Sequence, residues 1–314
     1  MIKNTTSIDD FIGQFPDEES ARLHLEKRYW NNIPTCPTCG NTEHQNEQTR
    51  DGKAGYYHCY NCKCVYTVRK GTIFERSHLP LHKWFYACYF FIDARKGISS
   101  RELSRKLGIK KESAWHMLHR INEACKDDGS KLLKGKVEID GTYFGGKERN
   151  KHTSKKSNAG RGPVGKTLAL VMKERGGDVR IKVVEDATTE TIHDVLNKNI
   201  DKDATLYTDE HSSYQGNQFN HEFVKHSAKE FVRKDNRDIH VNGIENINSL
   251  LKRGYLGIHH YWSPKHIQRF LDGMAFRQNE GNLKYDMMDR FNSLLDKFKG
   301  KRLTYKSLTS NSPE

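Results

Sequence analysis

Residues 36–64 read CPTCGNTEHQNEQTRDGKAGYYHCYNCKC and hold five of the seven cysteines in this chain of 314 residues. The first four form two C-x2-C pairs, Cys36 with Cys39 and Cys59 with Cys62, separated by the 19 residues at positions 40–58. Each pair forms a tight turn that directs two thiolates to one point, and two such turns supply the four sulfur ligands that a structural zinc ion prefers. The pattern therefore predicts a zinc ribbon over residues 34–72.

Two other interpretations of the cysteines stay open at this stage. A C-x2-C pair is also the pattern of a redox-active site, and unrelated free thiols need no metal. A disulfide framework is disfavoured, because the cysteine count is odd and the N-terminal MIKNTTSIDD lacks the basic and then apolar pattern of a secretory signal. Three residues are weaker candidates for a ligand position: Cys64, His44 and His58.

The chain is strongly basic, with 53 Lys and Arg against 40 Asp and Glu and a formal net charge of +13. Such an excess attracts a polyanion, and nucleic acid is the first candidate because phosphate contacts dominate its affinity. A charge that only keeps the protein in solution is the alternative. The longest apolar run, Trp84–Ile92, has nine residues, against the roughly 20 that a membrane-spanning helix needs. We therefore expect no membrane partner and a cytoplasmic location, associated with the nucleoid when DNA is bound.

Apolar spacing predicts helices on both sides of the ribbon. A helical region at 8–30 is broken at Pro16, and further helices follow the ribbon. Two short helices at 100–107 and 111–126 flank a turn at Gly108, which is typical of a helix-turn-helix. The second would be the recognition helix, with five residues predicted to face DNA: Lys110, Lys111, Ser113, His116 and Arg120. An ordinary helical hairpin with a basic surface is the alternative.

The pattern changes to strands after Gly135, and a helix follows near 188–196, which together predict an α/β core with a mixed sheet. Residues 147–166 interrupt the strands with seven Lys or Arg and one Glu among several Gly and Ser. This composition predicts a flexible basic loop that grips phosphates when DNA binds, with three representative contacts: Lys155, Lys156 and Arg161. A solvated tract without a ligand is the alternative.

Three acids stand at positions where a metal site could form. Asp140 and Asp209 each end a predicted strand, where the side chains of an open α/β sheet gather at one edge. Glu245 lies on a predicted helix, on the face opposite its apolar positions. Three carboxylates suit a pair of magnesium ions, which need oxygen ligands and can activate a nucleophile on a phosphodiester. Three other acids are not excluded by the pattern: Glu138, Asp186 and Glu210.

Taken in order, these motifs resemble a known family. The segments that carry the resemblance are FPDEESARLHL, CPTCG, YHCYNCKCVYTVRKGTIFERSHLPLHKWF, KGISSRELSRKLGIKKESAWHMLHRI, VEIDGTYFGGK, LYTDEHSSY and HVNGIENINSLLKRG…HHYWSPKHIQRFLDGMAFRQN. From about Phe11 to Asn279, the chain resembles DDE-type insertion-sequence transposases of the ISXO-like group, which have an N-terminal zinc ribbon. One departure is visible: similar proteins usually have Glu directly after the first Asp, where this chain has Gly141.

The resemblance implies a multidomain protein in which the zinc ribbon and helix-turn-helix precede an α/β ribonuclease-H-like catalytic domain. The expected domains are 1–33 (helical segment), 34–72 (ribbon), 73–134 (helix-turn-helix region), 135–285 (catalytic domain) and 286–314 (C-terminal helix and tail). It also implies that Asp140, Asp209 and Glu245 hold magnesium or manganese.

The activity implied by the resemblance is cleavage at the terminal inverted repeats of an insertion sequence, followed by transfer to target DNA. Lys252 and Arg253 would be phosphate clamps, with a solvated helix end as the alternative. The partners are DNA and further copies of the chain, forming a homo-oligomer on DNA. A non-catalytic DNA-binding regulator and a metal-dependent nuclease without strand transfer remain alternatives.

Overall fold

The computed structural model describes residues 6–43, 45–50, 52–146, 150–156 and 164–310. Contacts divide the chain into two units. The first consists of Met1–Ala94, Ile98–Cys125 and Glu280–Glu314, and the second of Arg95–Gly97 and Lys126–Asn279. No helix in the described residues is long and apolar enough to cross a membrane.

The helices are α1 (Ile8–Gln14), α2 (Glu18–Trp30), α3 (Leu81–Asp93), α4 (Ser100–Leu107), α5 (Lys111–Ala124), α6 (Thr189–Asn199), α7 (Asn242–Gly254), α8 (Ile267–Gln278), α9 (Met287–Asp296) and α10 (Tyr305–Thr309). The strands are β1 (Gln45–Arg50), β2 (Lys53–Cys59), β3 (Val65–Tyr66), β4 (Lys136–Phe144), β5 (Thr167–Glu174), β6 (Val179–Val184), β7 (Thr205–Thr208) and β8 (Asn220–Phe223).

The helical region at 8–30 is broken near Pro16, as the sequence predicts. Helices α1 and α2 are separate, and each begins with a capping box, at Ser7 and at Asp17, in which side chain and backbone satisfy each other's hydrogen bonds. The ribbon follows as an antiparallel sheet of order β1-β2-β3. Its last two strands flank the second cysteine pair, so the knuckle is held by sheet pairing on both sides.

Helix α9, which lies in the segment 286–314 predicted as C-terminal helix and tail, belongs to the first unit. The ring of Phe291 on α9 lies 5.0 Å from that of Phe11 and 4.9 Å from that of Phe85, centroid to centroid. All three residues are fully buried. Aromatic contacts of this edge-to-face kind add to the burial energy, so α9 completes the core of the N-terminal helices.

Helices α4 and α5 form the predicted pair. Ser99 Oγ accepts a hydrogen bond from the backbone N–H of Glu102 and starts α4. Gly108 ends α4 with a left-handed φ of 60°, a conformation that glycine adopts readily. The apolar side chains at every third or fourth position of α5 and at its C-cap are buried: Ala114, Leu118, Ile121 and Cys125.

The second unit is built on a five-stranded mixed sheet of order β6-β5-β4-β7-β8. Strands β4, β5 and β6 pair antiparallel, whereas β7 runs parallel to β4 and β8 runs parallel to β7. Both faces are covered. One core contains residues of α6, including Ile192 and Leu196, and the other contains residues of α7 and α8, including Ile244 and Leu271.

Strand alternation decides which face of β4 carries the acids. Val137 and Ile139 belong to the core that contains α6. Glu138 and Asp140 must therefore point to the opposite face, toward α7. Hydrogen bonds of both side chains to α7 confirm this orientation.

Candidate functional site

The four cysteines of the ribbon converge as predicted. Their sulfur atoms all lie within 4.8 Å of one another, and no other group of His, Cys, Asp and Glu in the described residues is so close. The Sγ atoms of Cys36 and Cys62 are 3.5 Å apart, and those of Cys39 and Cys59 are 3.6 Å apart. Tetrahedral bonds of about 2.3 Å to zinc place sulfur atoms about 3.8 Å apart. The donor set and its spacing therefore fit one structural zinc ion.

The ribbon also prepares the thiolate form of a ligand. The backbone N–H of Cys62 points at Cys59 and lowers the pKa of its thiol to about 6. Tyr57 and Tyr66 pack beside the cysteines with stacked rings 5.7 Å apart. A small apolar cluster thus packs around Cys36, Cys59 and Cys62, while Cys39 is exposed.

Cys64 lies outside the ligand group. Its Sγ is 2.6 Å from Lys70 Nζ and accepts a hydrogen bond from Thr38 Oγ1 at 3.5 Å. The ammonium group of Lys70 lowers the pKa of this thiol. His58 is not part of the ligand group either, since its ring packs edge-on against Tyr60. The remaining candidate, His44, lies outside the described residues.

We predict that Cys62→Ser removes the bound zinc, whereas the matched change Cys64→Ser leaves one zinc ion per chain. Loss of one of four ligands opens the site, and structural zinc contributes directly to folding. Metal content of the purified variants and their thermal unfolding would check this. Equal loss of zinc in both variants would contradict the assignment of Cys64.

Register explains why Asp140 and Asp209 are neighbours. Strand β4 pairs with β7 in parallel, with Val137 opposite Leu206 and Glu138 opposite Tyr207. Asp140 and Asp209 come two residues after Glu138 and Tyr207, respectively. Adjacent strands are about 4.8 Å apart, and residues two apart point to the same face. The sequences VEID and LYTD thus bring their last residues together.

Asp140 lies in an environment that disfavours an isolated negative charge. Burial and, to a smaller extent, the nearby Asp209 carboxylate raise the pKa of its carboxyl to about 6. Asn248 on α7 donates a hydrogen bond of 2.6 Å to Asp140 Oδ2. Asn248 is only 5% exposed, and its own Oδ1 is buried and accepts no hydrogen bond from the described residues.

Glu245 and Asp140 line one cavity of about 830 Å³. Glu245 lies in the first turn of α7, and its Oε1 is 3.7 Å from Nε2 of His226. The predicted phosphate clamps Lys252 and Arg253 line the same cavity. An open cavity lined by both acids and cations can hold a phosphodiester and a divalent cation together.

Lys96 is a cavity residue that the sequence did not single out. It lies in the short segment Arg95–Gly97, far in sequence from the acids but part of the same unit. A Cβ at Gly254 would be 2.6 Å from the carbonyl oxygen of Lys96, so glycine at the end of α7 permits this close approach. The only local signal was the basic pair Arg95-Lys96 before a glycine, which is too common to indicate a site.

The residues around Asp140 fit a hard divalent cation. The available donors are carboxylate oxygens and the unpartnered Oδ1 of Asn248, which are the ligand types that magnesium and manganese prefer. The three carboxylates do not all lie within 4.8 Å of one another, unlike the ribbon sulfurs within the described chain. Asp140 and Glu245 line the same cavity, and the charge of Asp209 is close enough to raise the pKa of Asp140.

Glu138 has a structural role. It is 1% exposed, and its carboxylate pairs with Arg175 Nε at 2.8 Å and accepts the backbone N–H of Ile244 at 2.8 Å. It thereby satisfies a free N–H in the first turn of α7. A Cβ at Gly243 would lie 2.7 Å from Glu138 Oε2, so glycine lets the carboxylate approach. Glu138 and Asp140 together fix α7 against β4.

Asp186 and Glu210 also have local partners. Asp186 Oδ1 accepts the N–H and hydroxyl of Thr188 before α6. Glu210 Oε1 accepts the N–H of Ser227 at 2.9 Å. Neither lines the cavity that contains Asp140 and Glu245.

Gly141 faces away from the acids. A Cβ at this position would lie 3.3 Å from Leu168 Cδ1 and 3.8 Å from the Tyr214 hydroxyl, on the α6 side of the sheet. A glutamate here would point opposite to Asp140 in a regular strand. The glycine therefore removes no ligand from the Asp140 face.

The predicted recognition helix presents only part of its basic set to solvent. Lys110 and Lys111 are exposed, and Ser113 is half-buried. His116 is half-buried beside Tyr305, with ring centroids 5.6 Å apart. The expectation that Arg120 faces DNA is wrong. Arg120 is 7% exposed and donates to the backbone carbonyls of Ile73, Glu75 and Leu303.

We predict opposite effects for two basic residues of α5. Arg120→Ala should lower the free energy of unfolding by about 1–3 kcal/mol, because it leaves buried carbonyl groups unpaired. Lys111→Ala should leave stability unchanged and reduce the salt dependence of DNA binding by about one phosphate contact. Denaturant unfolding and binding titrations at several salt concentrations would check this. A stable Arg120→Ala variant with reduced salt dependence would contradict it.

The basic loop at 147–166 is described only in part. Lys155 ends a short 3-10 turn, Thr153–Lys155, and Lys156 after it is exposed. Arg161 lies outside the described residues. A role of this loop in gripping phosphates stays a prediction.

Comparison with solved structures gives only remote likenesses. The chain is 11% identical to the protein in a crystal structure of the Mos1 strand transfer complex, covering 70% of this chain and 79% of that chain with a TM-score of 0.29. For a pre-cleavage Mos1 transpososome the identity is 11%, the coverage 97% and 100%, and the TM-score 0.26. Scores this low establish no common fold.

Comparison of sequences is more informative. An uncharacterized protein in transposable element ISH50 of Halobacterium salinarum is 29% identical over 283 residues, covering 85% of this chain and 92% of that protein. Residues 16–65 match the model of a transposase zinc-ribbon domain, and residues 132–279 match that of an ISXO2-like transposase domain. The matches contain the four converging cysteines and the three acids, respectively. The chain therefore carries an N-terminal transposase zinc-ribbon domain followed by an ISXO2-like transposase domain.

Proposed function

We propose that this chain is an active DNA transposase that cuts the ends of an insertion sequence and joins them to target DNA with a divalent metal. The observation that carries the proposal is the cavity shared by Asp140 and Glu245, which Lys96, Lys252 and Arg253 also line, with Asp209 beside Asp140. All three acids that the family resemblance implies as metal ligands are thus present and grouped. An inactive relic would have no reason to keep them.

The sheet supports a ribonuclease-H-like catalytic domain. Three antiparallel strands are followed by two strands parallel to the first, and helices cover both faces. Asp140 lies on the central strand β4, Asp209 follows its parallel neighbour β7, and Glu245 lies on helix α7, which packs against β4. This placement supports the proposal that the three acids act together as metal ligands.

Asp140, Asp209 and Glu245 would hold magnesium or manganese, which when bound activates a hydroxyl nucleophile and stabilises the leaving oxygen. Asn248 orients Asp140 through its 2.6 Å hydrogen bond. Lys96, Lys252 and Arg253 would bind the phosphates on either side of the scissile bond and hold the DNA strand in the cavity. None of these side chains forms a covalent bond to DNA in this mechanism.

DNA recognition would be shared by the first unit and the cavity. The ribbon and helices α4 and α5, with exposed Lys110 and Lys111, would bind the terminal inverted repeats. Two element ends must be joined in one reaction, so we propose that the protein acts as a homo-oligomer on DNA. The positive net charge favours encounter with both end and target DNA.

The test is incubation of the full chain with labelled DNA that carries the inverted repeats flanking its own gene, in magnesium and in chelator. Strand-transfer products that need magnesium would support the proposal. Cleavage without joining would indicate a nuclease, and binding without either reaction would indicate a DNA-binding regulator. Either of the last two results would overturn the proposed transposition.

A further inference from the structure

A basic loop with an exposed aromatic ring lies beside the acids. Residues 225–234, which we name the 225–234 loop, contain four Lys or Arg and one Glu. Lys225 and residues 228–234 of this loop, together with Phe223, line a groove of about 640 Å³. Phe231 in this loop is 55% exposed. A single exposed aromatic is common on protein surfaces, so its significance depends on its surroundings.

The loop has positive charge available for a ligand. Lys225, Lys229 and Lys234 are exposed, and none of their ammonium groups pairs with a carboxylate among the described residues. Arg233 is different, since it is held by Glu222 and Asp235. Three of the four cations are therefore free to bind an anionic partner.

Hydrogen bonds attach the loop to the strand end that carries Asp209. The N–H of Ser227 donates to Oε1 of Glu210, the residue after Asp209, at 2.9 Å. The N–H of Arg233 donates to the carbonyl of Ile239 at 3.0 Å, and Val232 pairs with His240 as an isolated antiparallel bridge. The loop is thus held at both ends to fixed parts of the second unit.

A direct line of contacts leads from Phe231 to Glu245. The ring of Phe231 lies 5.4 Å from that of His226, centroid to centroid. His226 Nε2 lies 3.7 Å from Glu245 Oε1. An exposed aromatic ring is therefore one side chain away from an acid of the proposed catalytic group.

We propose that the 225–234 loop binds an unpaired segment of the DNA strand beside the acids, with Phe231 stacking on a base and the free lysines binding its phosphates. This inference rests on the proposed transposase function and adds a strand-positioning residue to it. Phosphate contacts alone would explain the lysines but not the exposed ring. Aromatic stacking together with a basic groove is the combination that binds single strands, because every base presents a flat face.

The test compares two DNA probes in the absence of divalent metal, using the full chain. One probe is a fully paired element end, and the other is the same end with its terminal nucleotides unpaired. Phe231→Ala should weaken binding of the unpaired probe by about 5- to 100-fold and that of the paired probe by less than about twofold. Phe231→Trp should restore binding, since it keeps a stacking surface.

Tyr261→Ala is the matched control, because Tyr261 is 63% exposed in the same unit and lies outside the groove. It should leave both affinities unchanged. Lys229→Ala should reduce the salt dependence for the unpaired probe. Equal weakening of both probes by Phe231→Ala, or no weakening of either, would overturn the inference.

A parallel cleavage assay in magnesium separates this inference from the proposed function. If the wild-type protein cuts and joins ends and Phe231→Ala matches it in every assay, the role of the loop is rejected and the transposase function is kept. If the wild-type protein prefers the unpaired probe, this preference depends on Phe231, and no cleavage occurs, the transposase function is rejected and the binding site is kept.

Discussion

Asp140→Asn and Glu245→Gln are each expected to lower metal-dependent cleavage by about 10³-fold or more while DNA binding without metal stays unchanged. Each change removes a negative ligand, and metal stabilisation of a phosphodiester transition state contributes several kcal/mol, with about 1.4 kcal/mol for each tenfold in rate. Single-turnover cleavage of labelled element ends would measure the loss. Titration with manganese would show whether metal affinity falls in parallel.

Unfolding should not account for the loss of cleavage in these two variants. Burial raises the pKa of Asp140, so a neutral amide of the same shape costs the fold little and can still accept the hydrogen bond from Asn248. Asp186→Asn is the matched control, since Asp186 is an exposed acid of the same unit. Its Oδ1 accepts hydrogen bonds from Thr188, the N-cap of α6, and an amide oxygen can replace it there. Full cleavage by Asp140→Asn and Glu245→Gln would show that the metal-site assignment is wrong.

Much of the site could be predicted because its signals are local in sequence. The cysteine spacing alone gives a closed zinc shell, since each pair is a turn and the strands between them are short. Asp209 is predictable because it directly follows the short strand β7. The prediction that Asp140 also ends a strand is wrong, since Asp140 lies within β4, where the end of the parallel strand β7 lies beside it. The 3.6-residue period of Ile244, Ile247 and Leu251 likewise predicts that Glu245 is not in the core.

Contacts between distant segments could not be predicted in this way. Arg120 has the spacing of an exposed recognition residue, but the carbonyls that bind it come from residues 47 and 183 positions away. Helix α9 carries no sign in its own sequence that Phe291 fills the core of the N-terminal helices. Lys96 reaches the cavity only because Gly254 allows two backbones to approach. In each case the deciding partner is remote in sequence.

The structural role of Glu138 also depends on a partner that is remote in sequence, and removal of that partner should strongly destabilise the second unit. Sequence cannot tell Glu138 from Asp140, because both point to the same face of β4. The difference is Arg175, which follows β5 and donates to Glu138 Oε1 at 2.8 Å. The same guanidinium donates to the carbonyls of Asp238 and His240 at 2.7 Å each and lies over the Tyr207 ring. It therefore ties β4 to the segment that leads into α7.

Arg175→Ala is expected to lower the free energy of unfolding of the second unit by about 3–5 kcal/mol, because it leaves the carboxylate of Glu138 buried without its cation. The change in denaturant midpoint would measure it. The matched control is Lys198→Ala, which removes an exposed pair with Asp194 and should cost less than about 1 kcal/mol.

A double change separates the ion pair from the rest of the contacts. Glu138→Gln keeps an acceptor for the N–H of Ile244 but removes the charge, so adding it to Arg175→Ala should recover part of the lost stability. Recovery would show that the unpaired charge, rather than the missing carbonyl contacts, dominates the cost. A loss in Arg175→Ala no greater than that in Lys198→Ala would contradict the role of this pair in fixing α7. Because Glu245 directly follows Ile244 on α7, Arg175→Ala should also lower cleavage at temperatures where the second unit remains folded.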